Sequence, residues 1–365
     1  MDSSLDRRRS VPSLGRALRG TLFEEGHFRS QALFHKGDGL VHKRRYALKP
    51  QNDVVVDLIL RIELIPVDGS QSGQTVFQII GASVDRGRRI IFPCPVLSVR
   101  HSTGMAVTVS VLGSGSRGNA TFVKTDGIRI LIDAGMSRKE IAKRLEAIGD
   151  DPDGVDAVLI THEHNDHSVG LKTLVKDLPI QVFMTWGTIT ALQGDEHELN
   201  GANIVQVLPG VPFKIADTEI MPFSVPHDAA QPVAFSLTCG GVKVSQLTDI
   251  GCLPDHVADR LRGSQMLILE SNHDLEMLRA GPYPWVLKQR LMGRYGHLSN
   301  TAVARFIREQ YDGEADHVVL AHLSSKNNHP EIARQEAALA LRDRGLSTVR
   351  LTITSQDEPM QPIQL

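Results

Sequence analysis

The sequence predicts an α/β fold in which two β-sheets pack face to face under covering helices. Three observations predict it. From about residue 105 onward, short apolar runs rich in β-branched residues recur, separated by helix-length segments. Several of these runs stop at a histidine or a carboxylate, at Thr161-His162, His227, Asp249, Glu270 and His322. Strands come first, with helices between and after them, which suits two central sheets whose outer faces are buried under helices. Strand ends gathered at one edge of such a pair would deliver those polar residues to a single cleft.

The chain has 365 residues, room for one large domain and an appendage. A hydrophobic content of 41% against 22% charged residues supports a sizeable core. Charge is unevenly spread. Residues 1–104 hold 16 Lys+Arg and 10 Asp+Glu, a balance of +6, whereas residues 105–365 hold 24 and 32, a balance of −8. An acidic body counts against a broad nucleic-acid-binding face but leaves room for a local basic patch. Cys94, Cys239 and Cys252 form no CxxC pair and no disulfide framework, which points to the reducing cytoplasm. No apolar run reaches the length of a membrane span, and the opening residues 1–9 lack the apolar core of a signal peptide. Nothing in the pattern sets an oligomeric state.

Residues 1–50, rich in Arg, Lys, Ser and Gly without periodicity, are expected to be poorly ordered. Residues 53–65 read as a strand or short helix, and 74–80 and 89–92 as strands. The whole of 1–104 reads as a basic N-terminal extension, and Met105 is a candidate alternative start to the chain. The main domain is then 105–365. Residues 107–112 open it as a strand, followed by a tight glycine-serine loop over 113–120. That loop lacks the Gly-Lys-Ser/Thr ending of a phosphate loop. Residues 121–125 and 129–133 pair around Asp126-Gly127. Ser137 caps a helix reaching about 148, with Glu140 completing a capping box. A strand over 155–161 feeds a polar cluster, and 170–178 follows as a helix. Next come a strand at 182–184, a helix at 188–192, and strands at 203–207, 213–215 and 219–225. A hairpin joins 233–239 to 242–247 around Gly240-Gly241. After a strand at 266–269, helices cover 275–279, 284–293 and 300–310. A strand at 317–321, a helix at 330–344 and a strand at 348–353 complete the order.

The polar cluster is His162-Glu163-His164-Asn165-Asp166-His167, three histidines and a free carboxylate directly after an apolar run. Imidazole is the commonest protein metal ligand, and this density is unusual for an ordinary loop. His162 and His164 are expected to point one way, and Asp166 with His167 another, so one segment offers ligands to two adjacent ions. His162, His164 and His227 would hold one ion. Asp166, His167 and His322 would hold the other, and Asp249 would bridge. Such ions make hydroxide available near neutral pH and polarise the group under attack. Cys252 reads as a small hydrophobe, His273 as a neighbour of the site, and His197, His256, His317 and His329 as ordinary structural or surface residues.

These ligands in this order, with Leu112 to Ala120, Leu131-Ile132-Asp133-Ala134-Gly135, Leu269 to Asp274, Gly296 to Asn300 and Ala321 to Asn328, resemble the metallo-β-lactamase-fold superfamily. Within it the chain is similar to the YycJ/VicX-type (WalJ-like) hydrolases over about 105–355. The resemblance implies an αββα four-layer sandwich and a site for two divalent metal ions, zinc first, with manganese or iron as alternatives. It implies a phosphodiesterase, in particular a DNA exonuclease, in which Asp166 and Asp249 hold and orient a metal-bound hydroxide. His297, in Gly296-His297-Leu298-Ser299, resembles the histidine that lies beside the scissile phosphate in this branch, with Glu270 orienting it. Ser324, Ser325 and Asn327 would donate to phosphate oxygens. The chain has no long inserted nucleic-acid-binding domain, which favours single-stranded DNA or a small phosphodiester. The same ligands would also serve ester, thioester or lactam hydrolysis, as in glyoxalase II and lactonases. A non-catalytic metal-binding regulatory module is a third reading, against which the full ligand set argues.

Overall fold

A computed structural model of the chain describes residues 106–193, 199 and 202–365, together with five N-terminal strands. The chain divides into two units, residues 1–103 and 104–365. In the first, strands β1 (Ala32–Leu33), β2 (Val41–Arg44), β3 (Asp57–Ile65), β4 (Val76–Asp85) and β5 (Arg88–Ile91) pair in sequence order as an antiparallel meander. The three longer apolar runs of this region become β3, β4 and β5, so the 53–65 segment resolves as a strand. β1 and β2 fall within 1–50, and the rest of that stretch lies outside the described residues.

The second unit contains fourteen described strands. They are β6 (Thr108–Gly113), β7 (Ala120–Lys124), β8 (Arg129–Ile132), β9 (Ala157–Leu159), β10 (Gln181–Thr185), β11 (Asn203–Val207), β12 (Phe213–Ile215), β13 (Thr218–Ser224), β14 (Val233–Cys239), β15 (Val242–Leu247), β16 (Met266–Glu270), β17 (His317–Ala321), β18 (Arg350–Ile353) and β19 (Ile363–Gln364). One sheet runs β11-β10-β9-β8-β7-β6-β19 and the other β12-β13-β14-β15-β16-β17-β18. Around them lie helices α1 (Arg138–Ala147), α2 (Asn165–Ser168), α3 (Leu171–Asp177), α4 (Trp186–Gln193), α5 (Asp255–Leu261), α6 (Leu275–Ala280), α7 (Trp285–Leu291), α8 (Asn300–Glu309) and α9 (Pro330–Asp343). The expected cap at Ser137 is in place, its Oγ accepting from Glu140 N at 3.3 Å, and Asp274 and Ser299 cap α6 and α8 likewise, accepting from Met277 N at 2.8 Å and Ala302 N at 3.2 Å.

Strand periodicity sorts the apolar residues into three cores. In β16, Met266 and Ile268 join the core between the sheets, whereas Leu267 and Leu269 face the core that holds α5, α8 and α9. In β17, Val319 and Ala321 divide from Val318 and Leu320 in the same way. On the other sheet, Ile130 and Ile132 of β8 face inward, and Leu131 packs with Ile141 and Leu145 of α1. The result is the expected sequence of layers, helices, sheet, sheet and helices. A strand buried on both faces reads as a continuous apolar run, which is why β16 and β17 show no alternation of polarity.

Topology also aligns the strand ends. β8, β9, β10 and β11 are mutually parallel, as are β15, β16, β17 and β18. β13 and β15 are each antiparallel to β14, so they too run the same way. The loops leaving β9, β13, β15, β16 and β17 therefore open on a common edge. Beyond β1 and β2, three elements were not expected. α2 is a single turn inside the polar cluster, α5 is two turns with no side-chain cap, and β19 is too short to show a period.

Phe235 of β14 is fully buried between the sheets. Phe235→Ala should cost about 3–5 kcal/mol of unfolding free energy, read as a lower midpoint in denaturant melts.

Candidate metal centre

The common edge gathers the polar residues. His162 leaves β9 in extended chain. His164 caps α2, which carries Asp166 and His167. His227 follows β13, Asp249 follows β15, Glu270 ends β16 and His322 follows β17. His162, His164 and His227 place ligand atoms within 4.8 Å of one another, and so do Asp166, His167 and His322. Asp249 faces both groups. Its Oδ1 lies 3.9 Å from His227 Nε2 and its Oδ2 3.0 Å from His167 Nε2. All seven residues singled out as ligands are thus brought together. A further group joins Asp249, Glu270, His297 and His322.

The neighbours of each imidazole settle its tautomer, because a carboxylate or carbonyl oxygen only accepts. His167 Nδ1 donates to Asp133 Oδ2 at 2.9 Å, and His322 Nδ1 to Glu270 Oε1 at 2.8 Å. His227 Nδ1 donates to the Gly296 carbonyl at 3.2 Å. Thr161 Oγ1 spends its proton on Asp133, so it accepts from His162 Nδ1 at 3.0 Å. In each of the four, the outer nitrogen is held and Nε2 is turned inward, as second-shell partners do for metal-binding histidines. His162 Nε2 faces His164 Nδ1 at 3.0 Å.

The donor set fits divalent metal ions on a second ground. His227 Nε2, Asp249 Oδ2 and His322 Nε2 are buried and make no hydrogen bond among the described residues. Three such atoms pointing into one space would be costly unless a cation satisfied them.

Electrostatics divides the two groups. Burial holds the His162 imidazole well below its ordinary value, with His167 adding to the effect, and burial lowers His227 as well. Burial opposes charge on His167 and His322 too. There Asp249 and Asp133 win, raising His167 well above the usual range, and Asp249, Asp166 and Glu270 take His322 to about 10. Burial would raise Glu270, yet His297 and His322 hold it at about 2. Asp249 is likewise kept well below the carboxylate range by His322 and His167.

Glu270 is fully buried and is the hub of one side. Its Oε1 accepts from His297 Nδ1 at 2.7 Å as well as from His322, and its Oε2 accepts from the Ile250 and Leu298 amides, both at 3.0 Å. His297 lies 3.6 Å from Asp249 Oδ1 and keeps a partly exposed ring. Ser324, Ser325 and Asn327 are not joined to the cluster by a side-chain hydrogen bond among the described residues. Ser324 Oγ closes its own turn by accepting from Asn327 N at 3.1 Å, Asn327 is buried and Ser325 is exposed. His273 is buried rather than solvated, and burial brings its imidazole down to about 4. Cys252 is half-buried, His256 is exposed, His317 is buried at the start of β17, and His329 caps α9. His197 lies outside the described residues.

Three supporting residues escaped the sequence reading as parts of the site. Asp133 accepts from Thr161 N, Thr161 Oγ1 and His167 Nδ1 and is fully buried. It ends an apolar strand as Asp249 does, so the same signal could have found it. Asn119 Nδ2 lies 3.1 Å from His167 Nε2, and Ser114 Oγ accepts from the His322 amide at 2.8 Å while donating to Asn119 Oδ1. Only their place in a glycine-serine loop marked them. Asp133, Asp249 and His322 all have positive φ, at 64°, 57° and 55°. Non-glycine residues hold this conformation only where surroundings compel it, at about 1–3 kcal/mol each. Gly135 is needed for closeness instead, since a Cβ there would meet the Asp166 carbonyl.

Comparison with known proteins agrees with this architecture. A family model described as "Beta-lactamase superfamily domain" matches residues 128–348. Exodeoxyribonuclease YycJ of Bacillus anthracis is 32% identical over 268 residues, covering 72% of this chain and 99% of that protein. Exodeoxyribonuclease WalJ of Streptococcus pneumoniae is 33% identical over 243 residues, covering 65% and 90%. Among solved structures, the metallo-β-lactamase fold protein YhfI of Bacillus subtilis superposes with a TM-score of 0.54 at 16% identity, covering 71% of this chain and 100% of that one. The chain belongs to the β-lactamase superfamily in its metallo-β-lactamase fold, and within it to the group that includes YycJ and WalJ.

Proposed function

We propose that the chain is a metal-dependent phosphodiesterase that removes nucleotides from DNA, using two divalent ions, zinc in the first instance. His162, His164 and His227 would hold one ion, Asp166, His167 and His322 the other, with Asp249 shared. When bound, such ions acidify water and offset charge on the phosphoryl oxygens. The relatives named exodeoxyribonucleases support the substrate class. We place the protein in the cytoplasm, in keeping with its few cysteines and with the absence, among the described residues, of a helix long and apolar enough to cross a membrane.

The observation that carries the phosphodiesterase reading is the His297–Glu270 pair. Glu270 takes the His297 Nδ1 proton in a 2.7 Å hydrogen bond, so any proton given to substrate leaves from Nε2. Burial would discharge this imidazole, but Glu270 and Asp249 hold it above its ordinary value, which favours its acid form. A departing alkoxide needs that proton, or the positive charge itself. Glu270 also accepts from His322, so one carboxylate orients both a ligand and the acid. Ser324 Oγ accepts from Asn327 N and keeps its own proton to donate to a phosphate oxygen, and Ser325 is the most accessible of the three.

The deciding experiment assays the zinc- and manganese-loaded protein on single-stranded DNA, duplex DNA, RNA, bis-p-nitrophenyl phosphate, a thioester and a lactam. Preference for DNA, about two ions per chain, and loss of hydrolysis on chelation are expected. Preference for the thioester or lactam would overturn the reading. His297→Ala should lower kcat on DNA by about 10²–10⁴-fold with metal content unchanged. Activity surviving intact would remove the argument's main residue. Their surroundings hold the His167 and His322 imidazoles above their ordinary value, and each must be free of its Nε2 proton to become a ligand. Since both imidazoles are raised, metal uptake at the second site should weaken as pH falls from 9 to 6. Calorimetry in buffers of different ionisation enthalpy should find protons released as metal binds.

A further inference from the structure

Among the described residues, Arg144 of α1 is the one buried arginine, and a guanidinium is rarely buried unless it is paired. Ile141 and Leu145 on the same helix pack with Leu131, which turns this face toward the sheet. The guanidinium is fully engaged on one side. Its Nε donates to Glu140 Oε1 at 2.7 Å, and its Nη1 donates to the Leu112 carbonyl at 2.7 Å and to the Gln356 carbonyl at 3.0 Å. Leu112 falls where the β6–β7 register shifts between Val111 and Gly113, so it is matched to no residue of β7. Arg144 takes the carbonyl of that unmatched residue. Gly113 makes room for it, since a Cβ there would collide with Nη1.

Both carbonyls belong to segments that reach the candidate ligands. Directly after Gly113, Ser114 Oγ accepts from the His322 amide and donates to Asn119 Oδ1, and Asn119 Nδ2 lies against His167 Nε2. Asn119 N donates to the Asp166 carbonyl at 2.7 Å. The segment after β18 braces the same loop. Ser114 N donates to the Ser355 carbonyl at 3.1 Å, Arg117 N to Gln356 Oε1 at 2.8 Å, and Gln356 Nε2 to the Gly118 carbonyl at 2.9 Å. One nitrogen of Arg144 therefore clamps the two segments that hold the 113–119 loop. That loop is hydrogen-bonded to all three residues of the second group, Asp166, His167 and His322. Among the described residues, no hydrogen bond joins it to His162, His164 or His227.

We propose that Arg144 is a positioning residue for the second ion. By fixing the loop that holds His322 and His167, it sets how tightly Asp166, His167 and His322 take up metal, and it leaves the first group unaffected. This rests on the two-ion reading of the centre and adds a control on one of the two ions from a helix outside it. Arginine suits the task because its planar fork presents several donors at fixed angles, which a lysine ammonium does not. Arg144 also lines an open cavity of about 270 Å³ with Arg117, Glu140 and Gln356, so truncating it leaves a space that a small planar cation can enter.

The test titrates full-length, metal-free protein with zinc against a chromophoric chelator, which reads the number of ions and the affinity of each. The parent should take up two. Arg144→Ala should keep one at parental affinity and bind the other about 10-fold more weakly. Dilute guanidinium chloride should restore the weakened ion, and sodium chloride at the same concentration should not. Gly113→Ala, which displaces Nη1 with Arg144 intact, should weaken the same ion, so the proposal stays testable even where the truncated variant does not fold. In a His322→Ala background, which disables the second group, Arg144→Ala should cost the remaining ion nothing, whereas in a His227→Ala background the loss should persist. Parental affinity for both ions in Arg144→Ala and Gly113→Ala, an equal loss in the His322→Ala background, or equal rescue by sodium chloride would overturn the proposal. If the parent takes up two ions and the variants match it, this inference fails alone. If the parent itself takes up fewer than two, the underlying reading of the centre fails instead.

Discussion

Three carboxylates with almost no exposure, on Asp133, Asp249 and Glu270, are what the rest of this unit must accommodate. An ionised carboxylate away from water costs several kcal/mol unless it is paired and hydrogen-bonded. Asp133 is satisfied by an amide, a hydroxyl and an imidazole, and Glu270 by two amides and two imidazoles. Asp249 is not, because its Oδ2 makes no hydrogen bond despite lying 3.0 Å from His167. The fold thus leaves one buried anion short of positive charge, at the point where both histidine groups meet. The raised imidazoles of His167 and His322 favour positive charge beside it in the metal-free chain, and divalent ions would supply that charge in their place. Metal loading and charge compensation are therefore the same event here.

Much of the architecture was legible because β-strands buried on both faces leave an apolar run that cannot be mistaken for a loop, as at 266–269 and 317–321. The candidate ligands were legible for a related reason. A strand that ends abruptly in His or Asp marks the edge where water returns. The split between the two ligand groups has a local cause that periodicity does not contain. Continued extension would have kept His162, His164 and Asp166 on one face. The helical turn of α2, beginning after His164, redirects Asp166 and His167 toward His322.

What stayed hidden is what depends on contacts distant in sequence. Ser114 meets the His322 amide across 208 residues, and Asn119 reaches His167 across 48. No local pattern encodes such pairings. Ser324 is ambiguous for the opposite reason, since a serine hydroxyl that closes a turn by accepting from Asn327 N keeps its own proton to donate. Substrate class was less legible than metal chemistry because seven ligands activate water without regard to what it attacks. The discriminating group, His297, shares Glu270 Oε1 with the candidate ligand His322 and looks in sequence like any residue before a helix cap.

Ser114 has a further consequence, for motion. One hydroxyl holds the His322 backbone of one sheet and the Asn119 side chain of the other, so the two sheets are riveted at their shared edge. A sandwich fastened there resists opening like a hinged shell. The geometry of the candidate ligands is set at folding, and the freedom needed to admit and release a substrate would belong to the loops outside the rivet.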